Sequence, residues 1–397
     1  MKLIFFTSRF PYPINKGDKL RAYYQIKELA KTNEIHLIAL TEINIDLKAY
    51  SELNTYCKSI TVFKLSRYKK FTNLLKTLIN NKPFQVNYFY TSKIQKKIDS
   101  IIDDLNPDHI YCQLIRTALY MKNQYKYKST LDYMDSLSLG IKRRIKISNF
   151  LLRPILKIEH ERLVKFENLA FEFFNNHTII SKIDRENINH PNNKEIQIIT
   201  NGIDKKWLMK KKYPKEYDLV FIGNLSYIPN IEASLYIVQE IVPKLIHFYP
   251  NLKVLIAGSS PSSKLKKLAS ENIDIKGWID DIKSTYCKGK VFFAPMTIGS
   301  GLQNKLLEAM SLEIPCITSK LANKSLSAVP NHNILIADNT NEYINHIRNC
   351  LDNEKFRNSI GKKGKDYIED NFNWQDANKK LLKIFRSQQS VKNQNIT

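Results

Sequence analysis

Short apolar runs rich in β-branched residues alternate along the whole chain with segments whose apolar residues recur at helical spacing. This alternation is typical of parallel sheets whose strands are joined by helical crossovers. We therefore predict an α/β fold with two similar halves, each a doubly wound parallel sheet. The predicted strands are Lys2–Thr7, Glu34–Leu40, Ile60–Leu65, His109–Gln113, Thr130–Tyr133, His177–Ser181 and Ile196–Thr200 in the first half, and Asp218–Gly223, Lys253–Gly258, Ile273–Lys276, Val291–Pro295, Pro315–Thr318 and Ile334–Ala337 in the second.

The polar segment Asp204–Tyr217, with its charge run and Pro214, is interpreted as a linker between two domains. The predicted domains are residues 1–203 and 204–386, followed by a polar tail at 387–397. The C-terminal helix near 372–386 has two possible places, in the second domain or packed back on the first. Two such sheets in tandem imply a cleft, and ligands of open α/β sheets bind beyond the carboxyl ends of the strands.

Charge narrows the choice of partners. The chain of 397 residues has 43% apolar residues, which excludes a disordered polymer, and a net charge of +24, which favours an anionic partner. The abundance of Lys, Asn and Ile offers another explanation for part of this charge, namely a nucleotide-composition bias without functional meaning. Five scattered cysteines without CxxC spacing are predicted to be free thiols. The N-terminal apolar run is too short for a signal peptide, so we expect a cytoplasmic protein whose membrane contact is peripheral.

The most informative segment is Ala294–Thr318, which reads APMTIGSGLQNKLLEAMSLEIPCIT. A strand is predicted to end at Pro295, and a helix to run from near Leu302 to the residue before Pro315. The free amides and positive dipole end of such a helix suit a phosphate or diphosphate. At this spacing Gly301, Lys305 and Glu308 would share one helical face, with Lys305 on the phosphates and Glu308 on a ribose diol. A solvent-exposed Lys–Glu pair is the alternative.

This segment resembles the signature of retaining glycosyltransferases of family 4, also called glycosyltransferase group 1, which have the GT-B architecture of two Rossmann-like domains. The N-terminal MKLIFFTSRFPYPINKGDKLRAYYQIKELA is similar to a sugar-transferase subgroup associated with polysaccharide and exosortase gene clusters. The segments LDYMDSLS, IITNGIDKKWL, FIGNLSYIPNIEASLYIVQEIVPKL and NIDIKGWIDDIKSTYCKGKVFFAP continue the resemblance in order, to about residue 385.

The resemblance implies transfer of a hexosyl group from a nucleotide-diphosphate sugar, with retention of configuration, in cell-surface polysaccharide synthesis. The second domain would hold the donor, most simply UDP- or GDP-linked, and the first a lipid-linked or oligosaccharide acceptor. It implies no cofactor and no metal. The donor-binding residues it assigns are Gly17, Gly223, Asn224, Gly277, Trp278, Ser300, Gly301, Leu302, Lys305 and Glu308.

Three positions depart from the family pattern. Ser300 stands where many members have an acid, Asn224 and Asn230 stand near an expected Arg and Lys, and Gln113 stands where many have a His. More of the diphosphate charge would then fall on Lys305. Asp135, after a predicted strand in LDYMD, is a candidate contact to acceptor or sugar, and we expect the catalytic set Lys305, Glu308 and Asp135. Since the leaving phosphate is usually taken as the base in this family, a protein base is not obligatory, and we assign none.

The first loop offers a second candidate anion site. Gly17 opens a predicted helix, and Arg9, Lys16, Lys19 and Arg21 surround it with positive charge. This loop could touch the donor diphosphate or an acceptor phosphate, or it could be an ordinary loop with solvated cations.

Two basic stretches in the first domain have apolar residues at helical spacing, Lys69–Lys82 and Ile141–Lys165. Each predicts either a surface that binds an anionic membrane or a core-facing helix with a basic outer side. Nucleic acid is not an expected partner, because no base-stacking, zinc or helix-turn-helix pattern is present. The alternatives to a transferase are a non-catalytic nucleotide-sugar-binding protein at the membrane and a GT-B sugar-nucleotide epimerase.

Overall fold

The structure is a computed structural model that describes residues 1–66, 77, 81–209, 213–298 and 301–387. The predicted helix at Lys69–Lys82 lies almost entirely outside these residues, as does the tail after residue 387. The chain divides into two compact units. The first comprises Met1–Asn201 and the C-terminal segment from Trp374, and the second comprises Gly202–Asn373.

The first unit contains a parallel sheet of seven strands in the order β3-β2-β1-β4-β5-β6-β7. The register is set by pairs such as Leu3 with Ile35 and Leu3 with His109. The strands are Lys2–Thr7 (β1), Glu34–Thr41 (β2), Ser59–Lys64 (β3), His109–Gln113 (β4), Ser129–Asp132 (β5), Asn176–Ile179 (β6) and Gln197–Ile198 (β7).

The second unit contains a parallel sheet of six strands in the order β10-β9-β8-β11-β12-β13. Its strands are Tyr217–Ile222 (β8), Val254–Ala257 (β9), Ile273–Lys276 (β10), Gly289–Ala294 (β11), Cys316–Thr318 (β12) and Leu335–Ile336 (β13). In both sheets the order reverses at the first strand of the unit, which is the switch point of a doubly wound fold. The predicted fold class is confirmed, and each strand lies where the hydrophobic pattern predicts it, with ends that differ by a residue or two.

Helices connect the strands in both units. In the first unit they are Gly17–Leu29 (α1), Leu47–Asn54 (α2), Phe84–Phe89 (α3), Ser92–Leu105 (α4), Leu137–Ile147 (α5), Arg153–Phe171 (α6) and Lys182–Glu186 (α7), with short 3-10 turns at Ile115–Met121 and Asn193–Glu195. In the second unit they are Lys205–Leu208 (α8), Ile228–Tyr236 (α9), which continues as a π-helix over Ile237–Ile241, Val242–Ile246 (α10), Ser263–Lys266 (α11), Ile282–Cys287 (α12), Asn304–Ser311 (α13), Lys320–Leu326 (α14), Thr340–Asp352 (α15) and Glu354–Asn371 (α16). The last helix, Trp374–Arg386 (α17), belongs to the first unit.

Side chains of the central strand β1 alternate between the two faces of the first sheet. Ile4 and Phe6 belong to one buried cluster, whereas Leu3 and Phe5 belong to another. Helices α4 and α6 contribute to the first cluster, and α1 and α17 to the second. A parallel sheet needs such cover on both faces, because its strands are apolar on both sides.

The C-terminal helix α17 takes the alternative place that the sequence left open and packs on the first unit. Trp374 stacks on Tyr24 with ring centroids 5.3 Å apart, and Phe385 stacks on His109 at 4.4 Å. Burial lowers the pKa of His109 to about 3, so this histidine is neutral at physiological pH.

The segment interpreted as a linker is partly structured. Helix α8 lies within it, and its Trp207 packs edge-on against Tyr286 of the second unit at 5.8 Å. This apolar contact anchors part of a segment that its polar composition had marked as a linker.

All five cysteines are buried and free, as predicted, and burial raises the thiol pKa of each. Among the described helices, none has the length and apolar character needed to cross a bilayer.

We predict that Phe385→Ala lowers the free energy of unfolding of the first unit by about 3–5 kcal/mol, because it removes a fully buried ring from the cover of the sheet. Denaturant unfolding followed by circular dichroism measures the change. The exposed Lys383 of the same helix provides the control, and Lys383→Ala is expected to change stability by about 0.5 kcal/mol or less. Equal effects of the two variants would contradict this role of α17.

Candidate active site

Helix α13 carries the predicted donor-site residues of the second unit. It begins at Asn304, two residues later than predicted, because Gln303 at its N-cap is extended and makes no side-chain capping hydrogen bond. Gly301 and Leu302 therefore lie in the loop before the helix, and the prediction that Gly301 shares a helical face with Lys305 and Glu308 is wrong. Ser300 lies outside the described residues.

Lys305 and Glu308 lie on the first turns of α13, three residues apart. The Lys305 Nζ donates a hydrogen bond to Asn230 Oδ1, lies 3.6 Å from the Met296 Sδ and sits 5.0 Å from the centre of the Phe221 ring. Burial among these groups lowers the pKa of Lys305 to about 7, while the charge of Glu308 acts in the opposite direction. The ammonium is thus poorly compensated by the protein itself, which suits it to an anionic ligand.

Asn230, on α9, links this lysine to the end of strand β8. Its Oδ1 accepts from Lys305, and its Nδ2 donates to the Asn224 carbonyl oxygen at 2.8 Å. A Cβ added at Gly223 would lie 2.8 Å from the Asn230 amide nitrogen, so the glycine is needed for this close approach. The sequence drew attention to Asn230 only as a neutral substitute for a cation, whereas the structure identifies it as the partner of Lys305.

Glu308 is held from the other side by Tyr286, whose hydroxyl donates to Glu308 Oε2 at 2.9 Å. Burial raises the pKa of Glu308 to about 7, against the effects of this hydrogen bond and of the Lys305 charge. Tyr286 is fully buried on α12 and was not among the predicted site residues. Its only sequence signal is an aromatic residue within a short helix, which cannot be distinguished from an ordinary core residue.

The remaining donor-site candidates of this unit have different surroundings. Gly277 follows β10 and has open space around its Cα. Trp278 is 71% exposed and donates its indole N–H to Asp280 at 2.9 Å. Leu302 packs its side chain against the core of the unit, which leaves its backbone for any ligand contact.

In the first unit, Gly17 begins α1 with open space at its Cα, beside an ion pair between Arg9 and Asp18 at 2.5 Å. Gln113, which replaces the family histidine, ends β4 and donates to the Asp18 carbonyl oxygen at 3.0 Å. Lys19 is half-buried, and desolvation lowers its pKa.

Arg21 does not join the solvated cations of this loop, and that expectation is wrong. It is completely buried, and its guanidinium binds both carboxylate oxygens of Asp132 at 2.7 and 3.1 Å and Asn201 Oδ1 at 3.0 Å. Thr178 donates to the same carboxylate at 3.0 Å. The sequence hints at this only through the position of Arg21, four residues before the buried Gln25 on the inner face of α1.

Asp135 lies just beyond β5, three residues after Asp132. Burial, together with the charges of Asp184 and Asp132, raises its pKa to about 7, while Arg21 acts in the opposite direction. A carboxyl group with such a pKa can exchange a proton near neutral pH. Within the described residues, no cluster of three or more His, Cys, Asp or Glu side chains could hold a metal ion.

Comparison with known proteins identifies residues 216–353 as a match to the family described as glycosyl transferases group 1. The matched residues all lie within the second unit. A relative from Klebsiella pneumoniae, described as an uncharacterized 44.6 kDa protein in the cps region, is 22% identical over 410 residues that cover 97% of this chain and 99% of the relative.

Two solved structures show the same fold over nearly the whole chain. Sucrose-phosphate synthase from Thermosynechococcus elongatus superposes with a TM-score of 0.70 at 14% identity, covering 97% of this chain and 98% of the synthase. HepE from Anabaena, solved in complex with UDP and glucose, superposes with a TM-score of 0.68 at 14% identity, covering 98% of this chain and 100% of HepE. The protein has the GT-B fold.

We predict that Arg21→Leu lowers the free energy of unfolding of the first unit by about 3–5 kcal/mol, because it leaves the carboxylate of Asp132 buried without its partner. Chemical denaturation measures this loss. The exposed pair of Lys31 and Glu28, 2.6 Å apart, is the matched control, and Lys31→Ala is expected to cost about 1 kcal/mol or less. A cost for Arg21→Leu as small as the control's would show that the buried pair is not needed for stability.

Proposed function

We propose that this protein is a retaining glycosyltransferase of family 4 that transfers a hexosyl group from a nucleotide-diphosphate sugar to a lipid-linked or oligosaccharide acceptor. The main support for this proposal is that one helix carries both a desolvated cation, Lys305, and, one turn further on, the carboxylate of Glu308. The product would contribute to a cell-surface polysaccharide. The Klebsiella relative encoded in a cps region supports that assignment.

In this proposal the donor diphosphate binds at the N-terminus of α13. The amides of the first helical turn and the Lys305 ammonium bind the phosphate oxygens, and Ser300, Gly301 and Leu302, which precede the helix in the sequence, contribute further contacts. Since Asn224 and Asn230 carry no charge, Lys305 supplies the positive charge among these diphosphate-binding residues. A diphosphate would supply the counter-charge that Lys305 lacks.

Glu308 binds the ribose diol. Tyr286 occupies one carboxylate oxygen and thereby orients the group, and the remaining lone pairs accept the two ribose hydroxyls. Gly277 and Trp278 lie against the base, and Gly223 and Asn224 complete the donor site. The donor is UDP- or GDP-linked, and the complex of HepE with UDP and glucose supports a uridine nucleotide as the first choice.

The first unit binds the acceptor, with Asp135 contacting acceptor or sugar hydroxyls and Gly17 approaching a phosphate group. In the transfer step the acceptor oxygen forms a bond to the anomeric carbon as the bond from that carbon to the diphosphate breaks. The acceptor proton passes to the departing phosphate oxygen, on the same face of the sugar, so that configuration is retained. The reaction needs no cofactor and no metal.

The protein acts in the cytoplasm, at the inner face of the plasma membrane, where a lipid-linked acceptor would be held. Two alternatives remain experimentally distinct. A non-catalytic binding protein would bind a nucleotide-sugar without transfer or hydrolysis, and an epimerase would convert the free nucleotide-sugar without an acceptor.

We predict that Lys305→Ala lowers the transfer rate by a factor of about 100 or more, because it removes the ammonium group that is proposed to bind the donor diphosphate. The assay incubates labelled UDP- and GDP-sugars with membrane extract, after a thermal-shift screen of UDP-, GDP- and ADP-sugars has identified the donor. Lys244→Ala, at an exposed position on α10 of the same unit, controls for the loss of a positive charge. A fully active Lys305→Ala enzyme would refute the assignment of the donor site.

We also predict that the affinity for UDP falls about ten-fold per pH unit above about pH 7, because Lys305 must take up a proton before it can bind the diphosphate. Isothermal titration calorimetry in buffers of different ionisation enthalpy measures both the affinity and the proton uptake. Lys305→Arg keeps the charge at all these pH values and is expected to abolish the uptake. An unchanged pH dependence in Lys305→Arg would assign the proton to another group.

A further inference from the structure

The connection between α5 and α6 presents consecutive large apolar side chains to solvent. Phe150 is 73% exposed and Leu151 is 66% exposed, and Leu152, Ile155 and Ile158 continue the exposed surface onto α6. These five residues are called the apolar tip. Such a contiguous apolar surface is unusual on a folded protein unless it binds something.

Basic residues flank the apolar tip on both sides in the sequence. Between Ser136 and Ile158 the sequence contains six basic residues and no acidic residue. The basic residues are Lys142, Arg143, Arg144, Lys146, Arg153 and Lys157. The next acid, Glu159, is buried and accepts the backbone N–H groups of Phe84 and Gln85 at 2.7 and 3.1 Å, so its charge is directed into the unit.

Helices α5 and α6 form a helical hairpin, and hydrogen bonds fix the end of this hairpin that is opposite the apolar tip. The backbone N–H and hydroxyl of Ser138 donate to the two carboxylate oxygens of Glu167 at 3.0 and 2.6 Å, and His160 Nδ1 lies 3.0 Å from the Ser138 carbonyl oxygen. Helix α5 starts two residues after Asp135, and its 11 residues span roughly 16 Å. The hairpin therefore begins at the carboxyl edge of the sheet, and the apolar tip lies at its other end, about the length of α5 away.

We propose that the apolar tip docks on an anionic lipid bilayer, with Phe150 and Leu151 entering the headgroup region and the surrounding Lys and Arg side chains contacting lipid phosphates. Apolar area gives insertion and basic flanks give selectivity for anionic lipid, which is the combination that surface-bound helices use. The proposal names the membrane partner of the proposed transferase, and it rests on that function only in assigning the bilayer as the source of the acceptor.

A second exposed apolar patch in the same unit lacks the matching charge. Ile43 is 65% exposed and Leu47, at the start of α2, is 89% exposed. Between Glu42 and Glu52 the sequence contains three acids, Glu42, Asp46 and Glu52, and one base, Lys48. This patch lacks the basic excess of the apolar tip, so it provides a control of comparable exposure without the attraction to anionic lipid.

The test is co-sedimentation of the full chain with vesicles of phosphatidylcholine alone or with roughly one third phosphatidylglycerol. We expect binding to the anionic vesicles and a reduction of about ten-fold or more in Phe150→Ser/Leu151→Ser. Ile43→Ser/Leu47→Ser should bind as the unchanged protein does. Lys142→Glu/Lys146→Glu should weaken binding and reduce its dependence on salt. In Leu151→Trp, tryptophan fluorescence that shifts to the blue with anionic vesicles, beyond any shift in the unchanged protein, would show that the tip inserts.

Several results would overturn the proposal. They are equal binding of the Phe150→Ser/Leu151→Ser variant, equal binding to neutral vesicles, or a tip variant that changes only the oligomeric state in light scattering, which would assign the apolar tip to a second copy of the chain. Lys305→Ala is expected to bind vesicles normally. Loss of transfer activity and loss of membrane binding can thus be told apart.

Discussion

Burial of parallel strands on both faces is the constraint on which this molecule depends. Each central strand is apolar on both sides, so helices must cover both faces of each sheet. In the first unit this requirement brings the C-terminal helix α17 back onto the sheet, where Phe385 lies against His109. Because all strands of a sheet run the same way, their carboxyl ends meet at one edge, and polar groups at that edge must find partners among themselves. The ion pair of Arg21 and Asp132 is the outcome in the first unit.

In the second unit, helices that cover the sheet also bury charged groups whose charges are not fully compensated. Lys305 is partly removed from water with a neutral amide as its hydrogen-bond partner, and Glu308 with a neutral phenol as its partner. Burial moves the two pKa values towards each other from opposite directions, to about 7 in each case. A ligand that brings phosphate charge to the lysine and hydroxyl groups to the carboxylate satisfies both. The proposed nucleotide diphosphate is a ligand of this kind, and the burial of the uncompensated Lys305 ammonium in the free protein is the reason for expecting a pH-dependent affinity.

Local signals in the sequence explain how much could be predicted. The strands were located because apolar runs of a few residues, separated by turn residues, have one favourable outcome in an α/β chain. The segment around Lys305 could be recognised because a glycine-rich turn before a run of strong helix formers is a local pattern. The start of α13 was placed two residues too early, because Gln303 has an extended backbone although it stands within a run of helix-forming residues. Arg21 was wrongly predicted to be solvated, because the local sequence around a charged helical residue does not show whether a distant strand supplies a buried partner.

By itself, the sequence determined the α/β class, the positions of the strands, the free thiols and the helix that carries Lys305 and Glu308, since periodicity and turn chemistry act over a few neighbouring residues. Only the tertiary structure decided the partners. Asn230 meets Lys305 from 75 residues away, Tyr286 meets Glu308 from 22, and Asp132 meets Arg21 from 111. Hydrogen bonds between buried polar groups depend on which elements the sheet order brings side by side, and no local pattern encodes that order. The exposed apolar tip at Phe150 belongs with these, because the same amphipathic pattern predicted a core-facing helix equally well until the fold showed which residues remain uncovered.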